Sequence, residues 1–354
     1  MTASEPQLSN RVRTCRIARG WSQDELAARA GISRAGVSSI ETNRLVPSTS
    51  AALALAAALD CRVEDLFQLG SATAGEVAWA WPPQRESCRY WRASIAGREL
   101  RYPTEPTNLG VVGHDGVCQQ GQFREQLAAA PSDTLVVASC DPAIGLLADA
   151  LGRRHSFRLL AFQRSSQEAL ALLAQGLIHV AGIHLATVDR GGQNTAAAKR
   201  KLHGGFSLLR GARWQEGLAL APGLQLDSVR AAVQSRARWV GREPGSAARE
   251  LLDELLADRR PPRHIAYGHR GVAEAVRCGW ADIGVCLRLV SEEAGLGFLG
   301  VREEEYDFCY PAELEGDPRI QALIETVRSS SYRGMLGDLP GYDAAETGEL
   351  ERIN

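Results

Sequence analysis

Five short helical patterns follow one another in residues 10–69, separated by tight turns and with almost no β-branched alternation. Turn and cap residues punctuate the first three of them: Gly20, Ser22, Gly31 and Ser33. Glu25, three residues after Ser22, completes the pattern of a capping box. Two more patterns cover residues 50–59 and 63–67. The segment therefore predicts a small all-α domain of five helices.

The second and third patterns have the features of a helix-turn-helix, which needs a fixed angle between two helices and a turn such as the one at Gly31. The predicted internal face comprises Leu26, Ala30, Ile32, Val37 and Ile40, joined by Leu53, Leu59, Leu66 and Phe67. The outward positions of the third helix are Arg34, Ala35, Ser38 and Ser39. These side chains can offer hydrogen bonds and a methyl contact to base edges, so we expect the helix to enter the major groove of DNA.

Residues 10–69 resemble the Cro/C1, or xenobiotic-response-element, family of regulators through RGWSQDELAARAGISRAGVSSIETNRLVPS and ALALAAALDCRVEDLF. The resemblance implies that Arg34, Ala35 and Ser39 face bases. It implies contacts to the phosphate backbone from Gln23, Gly36, Thr42 and Arg44, with Asn43 where the family often has Gly. It also implies an internal Arg16–Glu41 ion pair. The expected partner is a palindromic operator bound by a homodimer, with recognition helices about 34 Å apart.

Composition restricts the remaining possibilities. Forty basic residues against 42 acidic ones give a formal net charge of −2, so the prediction of DNA binding depends on the motif and not on bulk charge. No stretch approaches the roughly 20 apolar residues of a membrane span, and the N-terminus lacks the apolar core of a signal peptide. Eight cysteines without a C-x-x-C pair suit a reducing compartment. We expect a cytoplasmic protein without a structural metal, a cofactor or a membrane partner.

The pattern changes after the helical segment. Short alternating runs such as EVAWAW, CRYWRASIAG and RELRYP, broken by prolines, predict a β-rich connector over residues 71–129. From residue 130 onward apolar strands alternate with helices, which favours parallel sheets. The polar segment after Pro340 predicts a frayed tail. The predicted domains are therefore 1–70, 71–129 and 130–354.

Four strand-to-helix junctions of the last domain carry hydroxyl or capping residues. Helix N-termini at the carboxyl ends of strands present unpaired N–H groups, so the junctions together suit an anion or a carboxylated or phosphorylated small molecule. The junction residues are Ser139, Cys140, Asp141, Ser165, Ser166, Arg242, Ser246, Tyr267 and His269. Asp141 is the expected N-cap of its helix with Pro142 at the first helical position, and Ser165 with Glu168 forms a capping box. Capping alone also explains each serine.

Residues 130–335 resemble the type II periplasmic binding-protein superfamily, in the version attached to molybdopterin-biosynthesis proteins. The resemblance is carried by RWQEGLALAPG, GREPGSAARELLDELL, HRGVAEAVRCGWADIGVCL and GLGFLGVREEEYDF, although Ala248 stands where relatives commonly have Thr. It implies two α/β lobes that close over a ligand by hinge motion, with crossings near Arg213 and Leu287. Trp214 and Glu216 would then line the cleft near a crossing, and His184 and His269 could reach the ligand. The implied ligand is molybdate, tungstate or a molybdenum-cofactor precursor, while helix termini alone equally suit a small carboxylate.

Together these features predict a one-component bacterial transcription regulator that binds operator DNA and is controlled by a small anionic effector. Two alternatives remain open. The second half could be a ligand-free dimerisation scaffold, or the protein could be a DNA-tethered enzyme. In the enzyme Cys140, at a helix N-terminus, would be the nucleophile and His184 or His269 its base.

Overall fold

The structure is a computed structural model that describes residues 8–10, 12–42, 45–69, 77–106, 111–126, 128–189, 191–257 and 259–353. The chain divides into two compact units, Met1–Glu76 and Val77–Asn354. The predicted fold class is confirmed, because a helix-turn-helix unit is followed by strands and then by a two-lobed α/β fold. The finer boundaries at residues 70 and 129 stay predictions.

The first unit contains the five predicted helices: α1 (Val12–Ala18), α2 (Gln23–Ala30), α3 (Arg34–Glu41), α4 (Thr49–Ala58) and α5 (Val63–Leu66). Ser22 and Ser33 cap α2 and α3, and Gly31 ends α2 with a φ of 64°. Only the Ser22 half of the predicted capping box forms, because the Glu25 carboxylate pairs with Arg29. A ladder of β1 (Leu8–Asn10) and β2 (Phe67–Leu69) corrects the all-α prediction, since three-residue strands are too short to show alternation.

The core of the first unit lies between its helices. Most of the predicted internal face is buried, including Leu26, Val37 and Ile40, and Ile32 packs against it. Leu53 is an error of the prediction, because its side chain is 57% exposed whereas Leu55 is completely buried. Two residues correspond to about 200° around a helix, so only one of these leucines can face the core.

The strands of the second unit are β3 (Ala78–Trp79), β4 (Cys88–Ile95), β5 (Arg98–Pro103), β6 (Gly116–Gln119), β7 (Gln122–Glu125), β8 (Thr134–Ala138), β9 (Arg158–Phe162), β10 (Val180–Thr187), β11 (Phe206–Leu220), β12 (Gly241–Arg242), β13 (Ile265–Ala266), β14 (Ile283–Leu287), β15 (Gly297–Pro311), β16 (Tyr342–Asp343) and β17 (Leu350–Ile353). Its helices are α6 (Ile144–His155), α7 (Ser166–Ala174), α8 (Gln193–Lys201), α9 (Val229–Gln234), α10 (Ala247–Leu255), α11 (Gly268–Arg277), α12 (Arg288–Glu293), α13 (Pro318–Arg328) and α14 (Ser330–Gly337).

The predicted β-rich connector is a five-stranded sheet in the order β3-β5-β4-β6-β7. Its Trp91 and Tyr102 share a hydrophobic core with Phe162 of the following α/β part. A buried ion pair joins the same two regions, with Arg158 Nη2 2.6 Å from an oxygen of Asp115. The sheet therefore belongs to the packed body of the second unit.

An eight-stranded sheet forms the centre of the second unit, in the order β14-β11-β15-β10-β8-β9, with β16 and β17 also paired to β11. Strands β8, β9 and β10 are parallel, whereas β11, β14 and β15 pair antiparallel, so the prediction of parallel sheets holds only in part. The segment after Pro340 is not frayed, because β16 and β17 hydrogen-bond to β11. Because the residues of this tail are mostly polar, the sequence pattern did not indicate its two short strands.

Two 15-residue strands, β11 and β15, connect the two lobes. They pair from Phe206↔Pro311 to Leu220↔Gly297. Along β11 the packing changes from the core that contains Trp214 to the core that contains Leu218, which places one crossing close to the predicted Arg213. The second crossing lies within β15, between Val301 and Tyr306. The crossing expected near Leu287 is not the one that returns the chain to the first lobe. Leu287, at the end of β14, packs in the core that contains Trp214, but Val290 and Leu296 after it pack in a core of the second lobe.

None of the helices in the described residues has the length and apolar character that crossing a bilayer would require.

Replacing Leu55 with alanine should lower the free energy of unfolding by about 2–5 kcal/mol, because it leaves a cavity in the helical core. Leu53→Ala on the same helix is the matched control and should change it by less than about 0.5 kcal/mol. Urea titrations of the full chain, followed by helical circular dichroism, measure both values. Equal effects of the two substitutions would contradict the assignment of the α4 faces.

Candidate functional site

Helix α3 presents the side chains predicted to read DNA. The Arg34 side chain is 68% exposed, with its Nε 3.4 Å from Asp24, and an exposed pair of this kind contributes little energy. Ala35 is exposed, and Ser38 and Ser39 are half-buried. Val37 of the same helix faces the core. The helix thus combines one anchored face with one small, polar outer face.

A buried ion pair fixes the helix-turn-helix from inside. Arg16 Nε lies 2.6 Å from Glu41 Oε1, which confirms the predicted pair, and the Glu41 side chain is 1% exposed. Gln23 Nε2 donates to Glu41 Oε2 at 2.9 Å, so this amide connects α2 to α3. Burial opposes ionisation of Glu41, but the hydrogen bonds from Arg16 and Gln23 outweigh it and lower its pKa.

The remaining predicted DNA contacts lie at the two ends of α3. The Gly36 N–H donates to Ser33 Oγ as part of the helix cap, and the Thr42 hydroxyl donates to the Ser38 carbonyl at 2.8 Å. Asn43 and Arg44 lie outside the described residues.

In the second unit, polar side chains gather where β11 and β15 cross between the lobes. Cys140, after β8, lies with its Sγ 2.9 Å from Nε2 of His184 on β10. His184 Nδ1 lies 2.9 Å from Oε2 of Glu304 on β15. Trp214 Nε1 on β11 donates to the same Oε2 at 2.9 Å. Four strands therefore contribute to one continuous chain of polar contacts.

Glu304 is also linked to the second lobe through Arg302. An Arg302 Nη2 lies 2.6 Å from Glu304 Oε1 and 2.8 Å from Glu216 Oε2, and it donates to the Ala247 carbonyl. Glu216 and Glu304 are both buried. Burial opposes ionisation of Glu304, but His184 and Arg302 outweigh it and lower its pKa. Burial and the neighbouring Glu304 charge raise the pKa of Glu216, so one carboxyl of the pair is charged and the other holds a proton at neutral pH.

A second cluster surrounds Arg242, which is buried at the end of β12. Its guanidinium contacts both carboxylate oxygens of Glu243 at 3.0 Å, and the Gly268 N–H at the start of α11 also faces that carboxylate. Arg242 Nη1 lies 3.2 Å from His269 Nδ1. A guanidinium only donates, so His269 Nδ1 accepts and the proton of the neutral ring is on Nε2. Burial, with the Arg242 charge, lowers the His269 pKa well below its usual range.

Three buried polar atoms of the described residues in this region have no assigned hydrogen-bond partner: His269 Nε2, Glu216 Oε1 and Glu304 Oε1. A buried polar group without a partner costs about 1–3 kcal/mol, so such atoms can mark places where a ligand bonds. A protonated Glu216 can donate to the neighbouring Glu304, so these two carboxyl groups can satisfy each other. His269 Nε2, a donor by the tautomer above, is therefore the atom that suits an acceptor on a ligand.

Several junction residues have structural roles. Ser139 Oγ lies 2.7 Å from the Tyr306 hydroxyl, and the Asp141 carboxylate accepts from the Tyr342 hydroxyl at 2.6 Å and from the Ala143 N–H. Helix α6 begins at Ile144, so Asp141 is not its N-cap and Pro142 is not its first residue. The DPA segment forms a turn that Asp141 closes before the helix starts.

The remaining junction residues either have structural roles or are exposed. The predicted Ser165 capping box is present, and Ser166 Oγ accepts from the backbone of His184, which fixes β10. Ser246 caps α10. Tyr267 does not enter the cleft as predicted, because its side chain is exposed and the ring lies on the surface.

Comparison with known proteins identifies the fold family. A family model described as the PBP superfamily domain matches residues 148–328, which is half of the chain. The chain belongs to the PBP superfamily. A second family model, described as helix-turn-helix, matches residues 12–66. The protein therefore combines a helix-turn-helix domain with a PBP-like domain.

Two curated relatives have no assigned function. YvgK, an uncharacterized protein of Bacillus subtilis (strain 168), is 27% identical over 197 residues, which cover 53% of this chain and 63% of YvgK. An uncharacterized protein from the 5′ region of a ferredoxin gene of Clostridium pasteurianum is 30% identical over 89 residues, covering 24% of this chain and 75% of the relative. The chain thus spans less than two thirds of YvgK.

Solved structures similar to this chain include substrate-binding proteins. A phosphate transporter substrate-binding protein from Clostridium perfringens, with bound phosphate, has a TM-score of 0.47 at 13% identity over 59% of this chain and 99% of that one. PhnD1 of Prochlorococcus marinus, in complex with methylphosphonate, has a TM-score of 0.43 at 12% identity over 61% and 93%.

Sequence reasoning missed three charged residues of the PBP-like domain: Glu243, Arg302 and Glu304. Considered by itself, the run REEEYD is typical of a charged surface exposed to solvent. In a strand, however, alternate residues share a face, so Arg302, Glu304 and Tyr306 point the same way. The apolar residues before and after this run were the signal that it continues a strand.

The two cleft histidines should affect stability with opposite pH dependence. Burial opposes protonation of His184, but Cys140 and Glu304 raise its pKa well above 6.5. Its contribution to the free energy of unfolding is therefore complete below about pH 6.5 and declines as the pH rises. The pKa of His269 is lowered, so its contribution to the free energy of unfolding is complete above about pH 6.5 and declines as the pH falls.

The destabilisation caused by His184→Asn should therefore shrink between about pH 6 and pH 9, while that caused by His269→Asn should shrink between about pH 7 and pH 5. Urea titrations of the wild type and both variants at these pH values measure the differences. The same pH trend for both variants would contradict the assigned charge states.

Proposed function

We propose that this protein is a DNA-binding transcription regulator whose PBP-like domain binds a small anionic effector. The observation that carries the proposal is the presence of an exposed recognition helix and a polar cleft in one chain. Arg34 and Ala35 are exposed on α3, while the second unit holds a buried donor without a partner, His269 Nε2. DNA is the partner of the first unit in this proposal, and the protein acts in the cytoplasm as a homodimer or a larger homo-oligomer on a palindromic site.

The charge of the effector follows from one unpartnered atom of the cleft. His269 Nε2 carries a proton with no acceptor. An oxyanion or a carboxylate offers it an acceptor, whereas a cation would leave this donor unpaired. Helices α10 and α11 begin close by, at Ala247 and Gly268, and their N-termini favour negative charge.

Several classes of anion fit this proposed site. Molybdate, tungstate, a molybdenum-cofactor precursor and small carboxylates are all anions that could accept these bonds. The family resemblance favours the first three, and the donors alone suit the fourth equally well.

Control of DNA binding would use the lobe crossings. Gly268 of the second lobe, with a φ of 68°, approaches the Gln163 side chain so closely that a Cβ there would clash with it. The lobes are therefore in contact beside the cleft, and an effector can stabilise this arrangement. In a dimer, a change in lobe geometry would alter the spacing of the two recognition helices. DNA must then change effector affinity by the same factor as the effector changes DNA affinity.

Arg34→Ala should weaken binding to a preferred DNA site by about 1–3 kcal/mol and relax base preference at one position, because it removes a donor from the outer face of α3. The site is first selected from a random duplex library with the full-length protein, and affinities are then measured at fixed salt. Arg153→Ala, which removes a similarly exposed arginine from the second unit, is the control. Equal effects of the two substitutions would show that α3 does not read bases.

Thermal unfolding in the presence of phosphate, sulfate, molybdate, tungstate and small carboxylates should identify the effector class. An anion present at about 100 times its dissociation constant should stabilise the PBP-like domain by about 2.7 kcal/mol. His269→Asn should remove this stabilisation, and His155→Asn, outside the cleft, should keep it. Absence of stabilisation by every anion, in a protein that binds DNA selectively, would favour the ligand-free scaffold over the sensor.

A further inference from the structure

The cysteine beside the cleft belongs to a chain of three groups that the proposed effector binding does not use. Cys140 Sγ lies 2.9 Å from His184 Nε2, and His184 Nδ1 lies 2.9 Å from Glu304 Oε2. A thiol, an imidazole and a carboxylate in hydrogen-bond series form the arrangement that activates a nucleophile. From the sequence, the base for Cys140 could have been His184 or His269. The geometry selects His184, because His269 Nδ1 faces Arg242 instead.

The carboxylate determines which nitrogen faces the sulfur. Glu304 accepts from Trp214 Nε1 and contacts Arg302, so it is held in its charged, acceptor-only form. His184 Nδ1 must therefore donate to it, and Nε2 is left to share a proton with Sγ. His184 and Glu304 are almost completely buried, with 3% and 1% of their side chains exposed, so this proton has no competing water.

Access to the sulfur is limited in a way that selects the reagent. Cys140 is half-buried, while the neighbouring Ser139 and His184 are buried. A reagent can therefore reach Sγ only if it is small and does not need to displace these side chains. The exposed Cys278 contacts the Glu274 carboxylate instead.

We propose that Cys140 is a reactive thiol activated by His184, with Glu304 as the positioning residue, and that small hydroperoxides oxidise it to a sulfenic acid. This inference is independent of the proposed effector and of DNA binding. With the proton that the two groups share on His184, the thiolate sulfur attacks the terminal oxygen of the hydroperoxide. The S–O bond forms as the O–O bond breaks, and the leaving alkoxide, or hydroxide in the case of hydrogen peroxide, takes the proton from His184 to become an alcohol or water. Sulfur is oxidised by two electrons, and the peroxide is reduced by two.

The first experiment compares two cysteines within one molecule. The full-length protein is treated at neutral pH with limiting iodoacetamide, and the alkylation of each cysteine is followed by peptide mass spectrometry. Cys140 should react faster than Cys278 although it is less exposed. His184→Asn should slow Cys140 by about 100-fold, the lower end of what a positioned proton acceptor contributes. Its side-chain amide can still donate to Glu304, so the burial of the site is kept.

Two further variants separate activation from folding. Glu304→Gln keeps an acceptor for Nδ1 but removes the charge, and it should give an intermediate rate. His155→Asn removes a histidine that contacts Glu325 and not Cys140. This substitution should leave the ratio of the Cys140 alkylation rate to the Cys278 alkylation rate unchanged.

The second experiment uses hydrogen peroxide as the oxidant and dimedone to trap the sulfenic acid. Selective, His184-dependent labelling of Cys140 supports the proposal. A Cys140 that is alkylated no faster than Cys278 would overturn the activation, and fast alkylation without dimedone labelling would overturn the assignment to hydroperoxides. A variant whose Cys278 rate differs from the wild type, or that no longer unfolds cooperatively on heating, has lost its fold, and Glu304→Gln then decides by the same criteria.

Discussion

The arrangement of the cleft depends on the buried carboxylate of Glu304. A charge in this position costs several kcal/mol of desolvation unless it is paired and hydrogen-bonded, and three side chains contact this carboxylate. His184 comes from β10, Trp214 from β11 and Arg302 from β15 itself. Because Arg302 also contacts Glu216 and the Ala247 carbonyl, the network extends from the first lobe into the second. The two lobes thus share one set of charges at the place where β11 and β15 cross between them.

The long strands β11 and β15 explain how the chain supports both a rigid sheet and a hinge. Their pairing is interrupted by irregularities between Arg210 and Ala212 and between Glu216 and Gly217. Such bulges bend a strand and change the direction of its side chains. At Gly217 a Cβ would press against the backbone of β15, so the close approach of the strands requires glycine there. The second irregularity lies beside the buried Glu216, which places the polar cluster at the bend.

The sequence predicted the local features well and the distant contacts poorly. The caps at Ser22 and Ser33 and the turn at Gly31 depend on neighbouring residues, so a single sequence reveals them. Leu53 was assigned to the core because the apolar run of α4 does not show which face is buried. Glu304 was missed since two of its partners, His184 and Trp214, lie 120 and 90 residues away in the chain, on other strands. The helix after Asp141 starts later than expected because Tyr342 holds the carboxylate in a turn, which local patterns cannot show.

The central claim is that occupancy of the cleft and binding of DNA influence each other. Calorimetric titration of the anion that stabilises the PBP-like domain, into the free protein and into its complex with the selected DNA site, tests this claim most directly. We predict two different dissociation constants, with a ratio of about 5–150 that equals the effect of the anion on DNA affinity. Identical dissociation constants with and without DNA would contradict the account, because the two units would then act independently.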